Sequence, residues 1–269
     1  MIKSDDVKQT LSGPTVHDGW EKNYRNKENE MFFKIAFEYI SKVLGSPKKE
    51  SVLLDAGCGS CRHTMRMAKY GFNVVAVDYS PHIVKVAQQV IKDQGLNDQV
   101  KVKQDSLLNL SFENETFDYV LCWGVLMHIP DIDLAISELV RVLNKSGKLI
   151  LSEVNMSSLE VKVIEFLRPF LNKKDIRSIK TNRGVEVWSK TESGELLSRR
   201  VNIPWLIDRL KSEGLTVINR KSGQFTESYT RFSNKLVNRL IHKFNNIWFK
   251  YINLPSLACG NIIILEKKR

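Results

Sequence analysis

The chain has 269 residues, of which 42% are hydrophobic and 26% are charged. These proportions are ordinary for a globular protein that buries a sizeable core. No apolar run is long enough to cross a bilayer, and the N-terminus lacks the apolar segment of a signal peptide, so we expect a cytoplasmic protein without a transmembrane segment.

The charge is distributed unevenly along the chain. Lys and Arg number 41 against 30 Asp and Glu, a formal net charge of +11. Residues 155–269 hold 22 of these basic residues and 10 acidic ones, whereas residues 1–154 hold 19 and 20. The basic half indicates an anionic partner, either a phosphorylated metabolite, a nucleic acid or a membrane surface. The alternative is that its lysines only keep the protein soluble.

A glycine-rich turn follows the first strong strand signal. Val52-Leu53-Leu54 is a short apolar run of the kind buried in parallel sheets, and Asp55 ends it. Gly57 and Gly59 then allow a sharp turn and a close approach to a ligand. A helix is predicted over Ser60–Tyr70. The turn therefore leads into a helix N-terminus.

A second apolar run, over residues 73–77, ends in Asp78, 19 positions after Gly59. An acidic residue at this spacing is placed to accept hydrogen bonds from both hydroxyls of a ribose. The ligand predicted from this pattern is a cofactor that contains a nucleoside.

Strands and helices continue to alternate downstream. Helices are predicted over about 28–44, 81–94 and 131–143. Further strands are predicted over 100–105, 116–123 and 148–154. This alternation favours a parallel, doubly wound sheet with right-handed crossovers. Ligands bind at the carboxyl ends of such strands, where Asp55, Asp78, Asp105 and Trp123 are expected.

The alternation breaks after Val154. A helix over 158–171 and a polar, basic stretch over 172–200 indicate an insertion, with a short β-like piece at 185–188. A helix near 204–210 and strands over 215–219 and 261–265 complete the sheet. The prediction is an α/β, Rossmann-like doubly wound seven-stranded sheet, its last strand antiparallel, with helical cap insertions.

Four regions follow from these elements. Residues 1–45 form an N-terminal lid segment and helix, 46–154 the cofactor-binding core, and 155–202 an inserted substrate cap. Residues 203–269 end the core and carry an amphipathic helix over about 230–252. The simplest interpretation of this helix is that its apolar stripe covers the insertion. A second is that the stripe and the flanking lysines rest on an anionic membrane. A third is that the basic residues follow a nucleic acid backbone.

The glycine turn alone does not identify the cofactor. A dinucleotide fingerprint would have a third glycine where this chain has Arg62, although nicotinamide binding remains the alternative. Four segments together resemble the class I S-adenosylmethionine-dependent methyltransferases, and within them the ubiquinone/menaquinone-biosynthesis type most. They are Asp-Ala-Gly-Cys-Gly at 55–59, Val-Ala-Val-Asp at 75–78, Gln-Asp at 104–105 and Phe-Asp-Tyr-Val at 117–120. The resemblance covers about residues 20–154.

The resemblance implies S-adenosyl-L-methionine as the cofactor. Gly57 and Gly59 would contact its methionine part, Asp78 its ribose and Asp105 its adenine, while Cys122 and Trp123 would border the sulfonium. The full set of implied cofactor-binding residues is Asp55, Gly57, Cys58, Gly59, Arg62, Asp78, Tyr79, Asp105, Ser106, Cys122 and Trp123. Many members have a glycine at the position of Cys61. Cys58 and Cys61 have the spacing of half a zinc site, but no second pair completes it, so no metal is expected.

The resemblance also suggests that Trp20 and Tyr24 fold over the cofactor mouth, although an aromatic stripe is more often plain packing. From their position at the end of the fifth strand, Glu153 and Asn155 are further candidates for contact with the substrate. His128 is the candidate general base for a hydroxyl acceptor, with a pKa near 6.5. The alternative is that His128 only binds backbone in the turn before Pro130.

We expect methyl transfer to a hydroxyl of a small or glycosylated metabolite, which a lipid anchor would bring to the inner membrane surface. A tRNA-modifying methyltransferase is the main alternative, motivated by the basic half, although no RNA-binding module is evident. A non-catalytic adenosyl-binding partner protein is the third.

Overall fold

The computed structural model describes residues 10–13, 15–17, 19–20, 27–167, 178–191, 194–230 and 234–269. The helices are α1 (Lys27–Leu44), α2 (Arg62–Lys69), α3 (Pro81–Asp93), α4 (Ile132–Arg141), α5 (Leu159–Leu167), α6 (Ile203–Ser212) and α7 (Lys235–Tyr251). The strands are β1 (Val52–Ala56), β2 (Asn73–Asp78), β3 (Val100–Gln104), β4 (Phe117–Trp123), β5 (Leu143–Val154), β6 (Ser178–Thr181), β7 (Gly184–Thr191), β8 (Gly194–Val201), β9 (Leu215–Ser222) and β10 (Gly260–Lys267).

Seven strands form the central sheet in the order β3-β2-β1-β4-β5-β10-β9. The first five pair in parallel, and β10 runs antiparallel to both of its neighbours. The predicted doubly wound sheet with an antiparallel last strand is confirmed. The strand order reverses between β1 and β4, which is where ligands bind in open sheets of this kind.

Helices cover both faces of this sheet, and each face has its own core cluster. Leu54, Val120 and Leu149 belong to one cluster and Leu53, Leu121 and Ile150 to the other. Successive strand residues thus point to opposite faces and both are buried, which explains the continuous apolar runs.

The first insertion differs from the predicted helical cap. Apart from α5, its described part is a three-stranded antiparallel sheet in the order β6-β7-β8. Gly184 starts β7 at φ +148°, where a Cβ would lie 2.1 Å from the carbonyl oxygen of Arg200. Only glycine allows that approach between β7 and β8. The predicted helix over 158–171 is confirmed from Leu159 to Leu167, and residues 168–177 lie outside the described residues.

The amphipathic helix also packs differently from the simplest prediction. The buried face of α7 consists of His242, Asn245, Trp248 and Phe249, while most of the predicted apolar stripe faces solvent. The interpretation that this stripe covers the insertion is therefore wrong. In the part of the chain that the structure describes, no helix is long and apolar enough to cross a membrane.

Candidate active site

A cavity of about 600 Å³ lies at the carboxyl ends of β1, β2, β4 and β5. This volume is in the range of small-molecule sites. Its lining includes these residues of the predicted set: Trp20, Gly57, Cys58, Gly59, Arg62, Asp78, Tyr79, Ser106, Trp123, His128 and Glu153. The sheet thus brings most of the predicted site residues to one place.

The glycine turn forms the floor of the cavity. Gly57 and Gly59 adopt φ values of +81° and +52°, which disfavour any side chain. A Cβ on Gly57 would come within 2.5 Å of a methyl carbon of Val125, whereas one on Gly59 would meet no atom within 4 Å. The turn at Gly59 therefore leaves an open cradle next to backbone N–H groups at the start of α2.

Asp78 connects the end of β2 to this turn. Its Oδ2 accepts from the Gly59 N–H at 2.9 Å and its Oδ1 accepts from the Ser80 N–H at 3.0 Å. The side chain lines the cavity. Since each carboxylate oxygen accepts more than one hydrogen bond, Asp78 keeps lone pairs for ribose hydroxyls.

Asp55 lies behind the turn and does not line the cavity. Its Oδ2 accepts from the Thr64 hydroxyl in α2, and burial raises the pKa of its carboxyl to about 7. The residue before that helix, Cys61, has φ +61°, a conformation that glycine adopts more easily. Cys61 thus adopts the backbone geometry of the glycine that the resemblance implies at this position.

Two predicted cofactor contacts point elsewhere. Asp105 accepts from the Ser106 N–H and from the N–H and hydroxyl of Ser111, so its carboxylate braces a loop rather than lining the cavity. Cys122 lies within β4, and its side chain is fully buried in the core. At these two strand ends the cavity is lined by the neighbouring Ser106 and Trp123 instead.

Arg62 and Arg66 of α2 both form ion pairs with Glu30 of α1 at the cavity wall. Arg62, which the resemblance implies as a cofactor contact, thus has an acidic side chain of the protein itself as a partner. The sequence does not predict the pairing of Arg66 with Glu30, because it joins residues 36 positions apart without a motif.

Aromatic rings form the wall between α1 and β4. His63 stacks on Phe37 at a centroid distance of 4.7 Å, and Trp123 lies 5.1 Å from His63. Burial, together with Arg66 and Arg62, lowers the pKa of His63 well below its usual value. This ring is therefore neutral and acts as part of an apolar wall.

His128 follows β4 in a short 3₁₀ turn, Leu126–His128. Its Nδ1–H donates to the Leu197 carbonyl of β8 at 2.7 Å, and its ring lies 4.6 Å from that of Trp20. Burial lowers the pKa of His128 to about 4, so the expected value near 6.5 is wrong. At neutral pH the ring carries its proton on Nδ1 and a lone pair on Nε2.

Glu153 lies at the end of β5 beneath the same turn. Its Oε1 accepts from the Leu126 N–H at 3.1 Å, while Oε2 is buried with no hydrogen-bond partner. Burial raises the pKa of its carboxyl to about 8, so the group is mostly protonated at pH 7. A buried neutral carboxyl with an unpartnered oxygen is a polar group that a ligand can satisfy.

Arg199 of β8 holds the other side of the His128 turn. It is 1% exposed, and its guanidinium donates to the carbonyls of Leu126, Ile129 and Pro130. Its charge is paired with Glu186 of β7 at 2.8 Å. An arginine within a basic stretch carries no sequence signal for this role, so it was not predicted.

Of the remaining predicted contacts, one lines the cavity, one does not, and one lies outside the described residues. Trp20 lines the cavity, and Tyr24 lies outside the described residues. Asn155 binds the carbonyls of Ser256 and Ala258 with its amide and does not line the cavity. Within the described residues, no group of three His, Cys, Asp or Glu side chains is arranged to hold a metal ion.

Comparisons with known proteins agree with this geometry. Residues 54–151 match the family model described as a methyltransferase domain. Over 137 residues the chain is 34% identical to a ubiquinone biosynthesis O-methyltransferase of Xanthomonas axonopodis pv. citri, covering 51% of this chain and 56% of that protein. Over 180 residues it is 26% identical to a demethylmenaquinone methyltransferase of Bacillus subtilis, covering 61% and 76%.

The fold is shared with solved structures. The PH0226 protein from Pyrococcus horikoshii superposes with a TM-score of 0.61 at 18% identity, over 95% of this chain and 100% of that one. The chain spans about half the length of the first curated relatives it matches. The glycine turn, Asp78 and strands β2 to β4 lie in the part that matches the family model. The chain therefore carries a class I S-adenosylmethionine-dependent methyltransferase domain.

Proposed function

We propose that the protein transfers a methyl group from S-adenosylmethionine to a hydroxyl of a small or glycosylated acceptor, which includes lipid-linked molecules. One observation carries the proposal: the glycine turn with Asp78 and the neutral His128 line the same cavity. A cofactor site and a proton acceptor thus share one space shielded by Trp20.

The cavity fits the cofactor. Bound S-adenosylmethionine supplies an electrophilic methyl group on a positively charged sulfur. The open cradle at Gly59 and the N–H groups at the start of α2 suit its polar end, and Asp78 suits its ribose. Leu107 and Leu108, next to Ser106, provide apolar lining that suits the adenine of the cofactor.

His128 is the proposed proton acceptor. The Leu197 carbonyl fixes the Nδ1–H tautomer, so Nε2 would take the proton that the substrate hydroxyl releases as the methyl group passes from sulfur to oxygen. The stacking of Trp20 on the ring and the bond to β8 hold the imidazole in one orientation. Alignment of this kind is the main task of a site for in-line displacement at carbon.

The lining favours a small acceptor over RNA. It is mostly apolar, and Arg62 and Arg66, the cations among the described lining residues, both pair with Glu30. Single-stranded nucleic acid sites combine a positively charged groove with exposed stacking aromatics. The names of the matched relatives, which include an O-methyltransferase of quinone biosynthesis, also support a small hydroxyl acceptor.

The test is transfer of a labelled methyl group from S-adenosylmethionine into cell extract, followed by separation into RNA, lipid and small polar fractions. We expect label in the lipid or small polar fraction with the wild-type protein and background with Asp78→Ala. Asp93→Ala, a change of an exposed aspartate on α3, is the matched control and should label like the wild type.

Two results would overturn the proposal. Label that disappears after ribonuclease treatment would identify an RNA acceptor. Cofactor binding without labelling of any fraction would identify a non-catalytic partner protein.

A further inference from the structure

Helix α7 is attached to the molecule by one narrow face. Trp248 lies 4.4 Å from the ring of Phe225, Phe249 lies 5.4 Å from that of Phe32, and the Asn245 amide donates to the Thr226 carbonyl. These contacts place the buried residues of α7 on about one third of its circumference. They fix the orientation of the whole helix.

A second third of the helix is apolar and faces solvent. Leu236 is 65% exposed, Leu240 59% and Tyr251 79%, and Phe244 and Ile247 lie between them on the same side. At about 100° per residue these positions form one continuous stripe. A stripe of large apolar side chains in solvent indicates an interaction surface rather than a packing face.

The last third of the helix is basic. Lys235, Arg239, Lys243 and Lys250 lie along one flank of the apolar stripe, and α7 contains no acidic residue. Apolar and cationic side chains are thus sorted into adjacent faces. This arrangement is typical of helices that lie in a membrane interface, with lysines reaching the headgroups.

We propose that the apolar stripe of α7 rests on an anionic membrane surface. Two copies of the chain meeting through this helix would bring its four basic residues against four others, which disfavours self-association. A nucleic acid backbone would leave the leucines and Phe244 in water. An anionic lipid surface satisfies both faces, because it accepts the apolar side chains and attracts the lysines.

The loop 223–227 connects this surface to the cavity. Gly223, Gln224 and Glu227 line the cavity, whereas Phe225 and Thr226 pack on α7. A membrane against the exposed stripe of α7 would therefore be separated from the cavity by the helix and this loop. Resting on the function proposed above, this arrangement suits an acceptor whose hydrophobic tail stays in the lipid.

Helix α5 adds a second exposed apolar stripe beside the same loop. Leu159, Val163 and Phe166 are 42%, 46% and 75% exposed. Glu160 between them accepts from the Glu227 N–H at 3.0 Å. Both helices are thus anchored to the loop that borders the cavity.

The test is sedimentation of the full chain with vesicles of phosphatidylcholine, alone or mixed with phosphatidylglycerol. We expect binding to the mixed vesicles that weakens with salt, and little binding to phosphatidylcholine alone. The variant Leu240→Gln/Phe244→Gln should bind on the order of tenfold more weakly. The triple variant Lys235→Gln/Arg239→Gln/Lys243→Gln should bind on the order of 100-fold more weakly.

The matched control for the triple variant is Lys69→Gln/Lys85→Gln/Lys92→Gln, which removes the same charge from exposed positions of α2 and α3. It should bind vesicles within about twofold of the wild type if the charges act locally. An equal loss in both triple variants would overturn the proposal, as would a wild-type protein that does not bind the mixed vesicles. A dimer in solution that Leu240→Gln/Phe244→Gln dissociates would replace the membrane by a second copy.

Calorimetric binding of S-adenosylmethionine to the same preparations separates this proposal from the methyltransferase proposal. Intact cofactor binding without vesicle binding would overturn the membrane surface alone. Vesicle binding without cofactor binding would overturn the methyl-transfer function and leave the surface in place.

Discussion

His128 lies in the turn that Glu153 supports from below, and burial shifts the pKa values of these two groups in opposite directions. The pKa of His128 falls to about 4 and that of Glu153 rises to about 8. At neutral pH the imidazole is therefore unprotonated and the carboxyl holds its proton. The two groups offer an acceptor and a donor to whatever enters the cavity, which suits an acceptor molecule with both a hydroxyl and an oxygen lone pair.

The pH dependence of turnover should distinguish which of these groups takes the proton. If His128 does, kcat/KM of the wild type stays flat from about pH 6 to 8 and falls only as the pH approaches 4. His128→Ala should lower turnover on the order of 100-fold and leave cofactor affinity within about twofold. The measurement is methyl transfer across this pH range, with calorimetry of cofactor binding.

The control is His82→Ala, which removes an exposed histidine of α3. It should keep the wild-type profile. A wild-type rate that instead climbs tenfold per pH unit up to pH 8 would move the base role to Glu153.

Glu153 should also make stability depend on pH. Because its pKa is raised from 4.5 to about 8, the folded state holds one more proton than the unfolded state between these values. The free energy of unfolding therefore falls as the pH rises through this window, by about 1.4 kcal/mol per unit from this group. Glu153→Gln keeps the shape of the protonated side chain and should lose this contribution.

The measurement is urea unfolding of both proteins at pH 5.5, 7 and 8.5. Relative to the wild type, Glu153→Gln should gain stability with each step, while the contributions of Asp55 and the histidines cancel between them. Glu165→Gln, at an exposed position of α5, is the control and should run parallel to the wild type. A constant difference between Glu153→Gln and wild type would show that the folded pKa is not raised.

At the scale of elements, the inserted sheet holds the His128 turn. Arg199 donates to three carbonyls of that turn and pairs with Glu186, and the Leu197 carbonyl binds the imidazole itself. The insertion is thus attached to the core through buried polar contacts. We infer that it acts as a fixed wall of the site and that Arg199 is a positioning residue.

Arg199→Met should leave Glu186 without its partner and destabilise the protein by about 3–5 kcal/mol. Under conditions where the variant is folded, kcat should fall on the order of tenfold while cofactor affinity stays within about twofold, since the glycine turn is untouched. Arg199→Lys should not restore kcat, because one ammonium cannot reproduce the planar fork. The measurements are thermal unfolding, steady-state kinetics and calorimetry.

The neighbouring Arg200→Met is the control, because alternate strand residues face opposite sides of a sheet. It should keep the wild-type kcat. Equal losses of kcat and cofactor affinity in Arg199→Met would mean that Arg199 only maintains the fold.

The elements that sequence predicts well here are those set by the backbone. Gly57, Gly59 and Asp78 are constrained by positive φ values and by the end of a buried strand, and each lies where the pattern indicated. Asp105 and Cys122 also end or follow strands as predicted. However, side-chain direction after a strand depends on a few dihedral angles that no periodicity encodes, and both turn away from the cavity.

Tertiary contacts explain the other differences. The inserted sheet is held by pairing between β7 and β8 and by Arg199, in a polar stretch where only residues 185–188 show a strand pattern. The apolar stripe of α7 was recognised, but periodicity says only that a helix has an apolar face. It does not say whether the protein or another surface covers that face.

At the scale of the whole molecule, the net charge differs between the part that contains the cofactor turn and the part that contains the inserted sheet and α7. The nearly neutral residues 1–154 include β1 to β4 and the cofactor turn, whereas the basic remainder includes the inserted sheet and α7. The comparisons do not support RNA as the anionic partner, and the basic flank of α7 lies beside exposed apolar residues. The proposed orientation of the molecule on a lipid surface would account for this charge asymmetry.

Cofactor binding should stabilise the whole molecule, because it joins the ends of β1, β2 and β4 across the switch point of the sheet. A ligand that binds only the folded state at 100 times its Kd adds about 2.7 kcal/mol, which corresponds to a rise in Tm of about 5–10 °C for a domain of this size. Asp78→Ala removes the proposed ribose acceptor and should require at least about tenfold more S-adenosylmethionine for the same rise. Thermal unfolding over a cofactor titration measures the rise in Tm separately for each variant. A lower Tm of the cofactor-free Asp78→Ala protein, caused by loss of the hydrogen bond from the Gly59 N–H, therefore does not affect the comparison. Asp93→Ala should follow the wild-type titration, and an Asp78→Ala curve that coincides with it would remove Asp78 from the cofactor site.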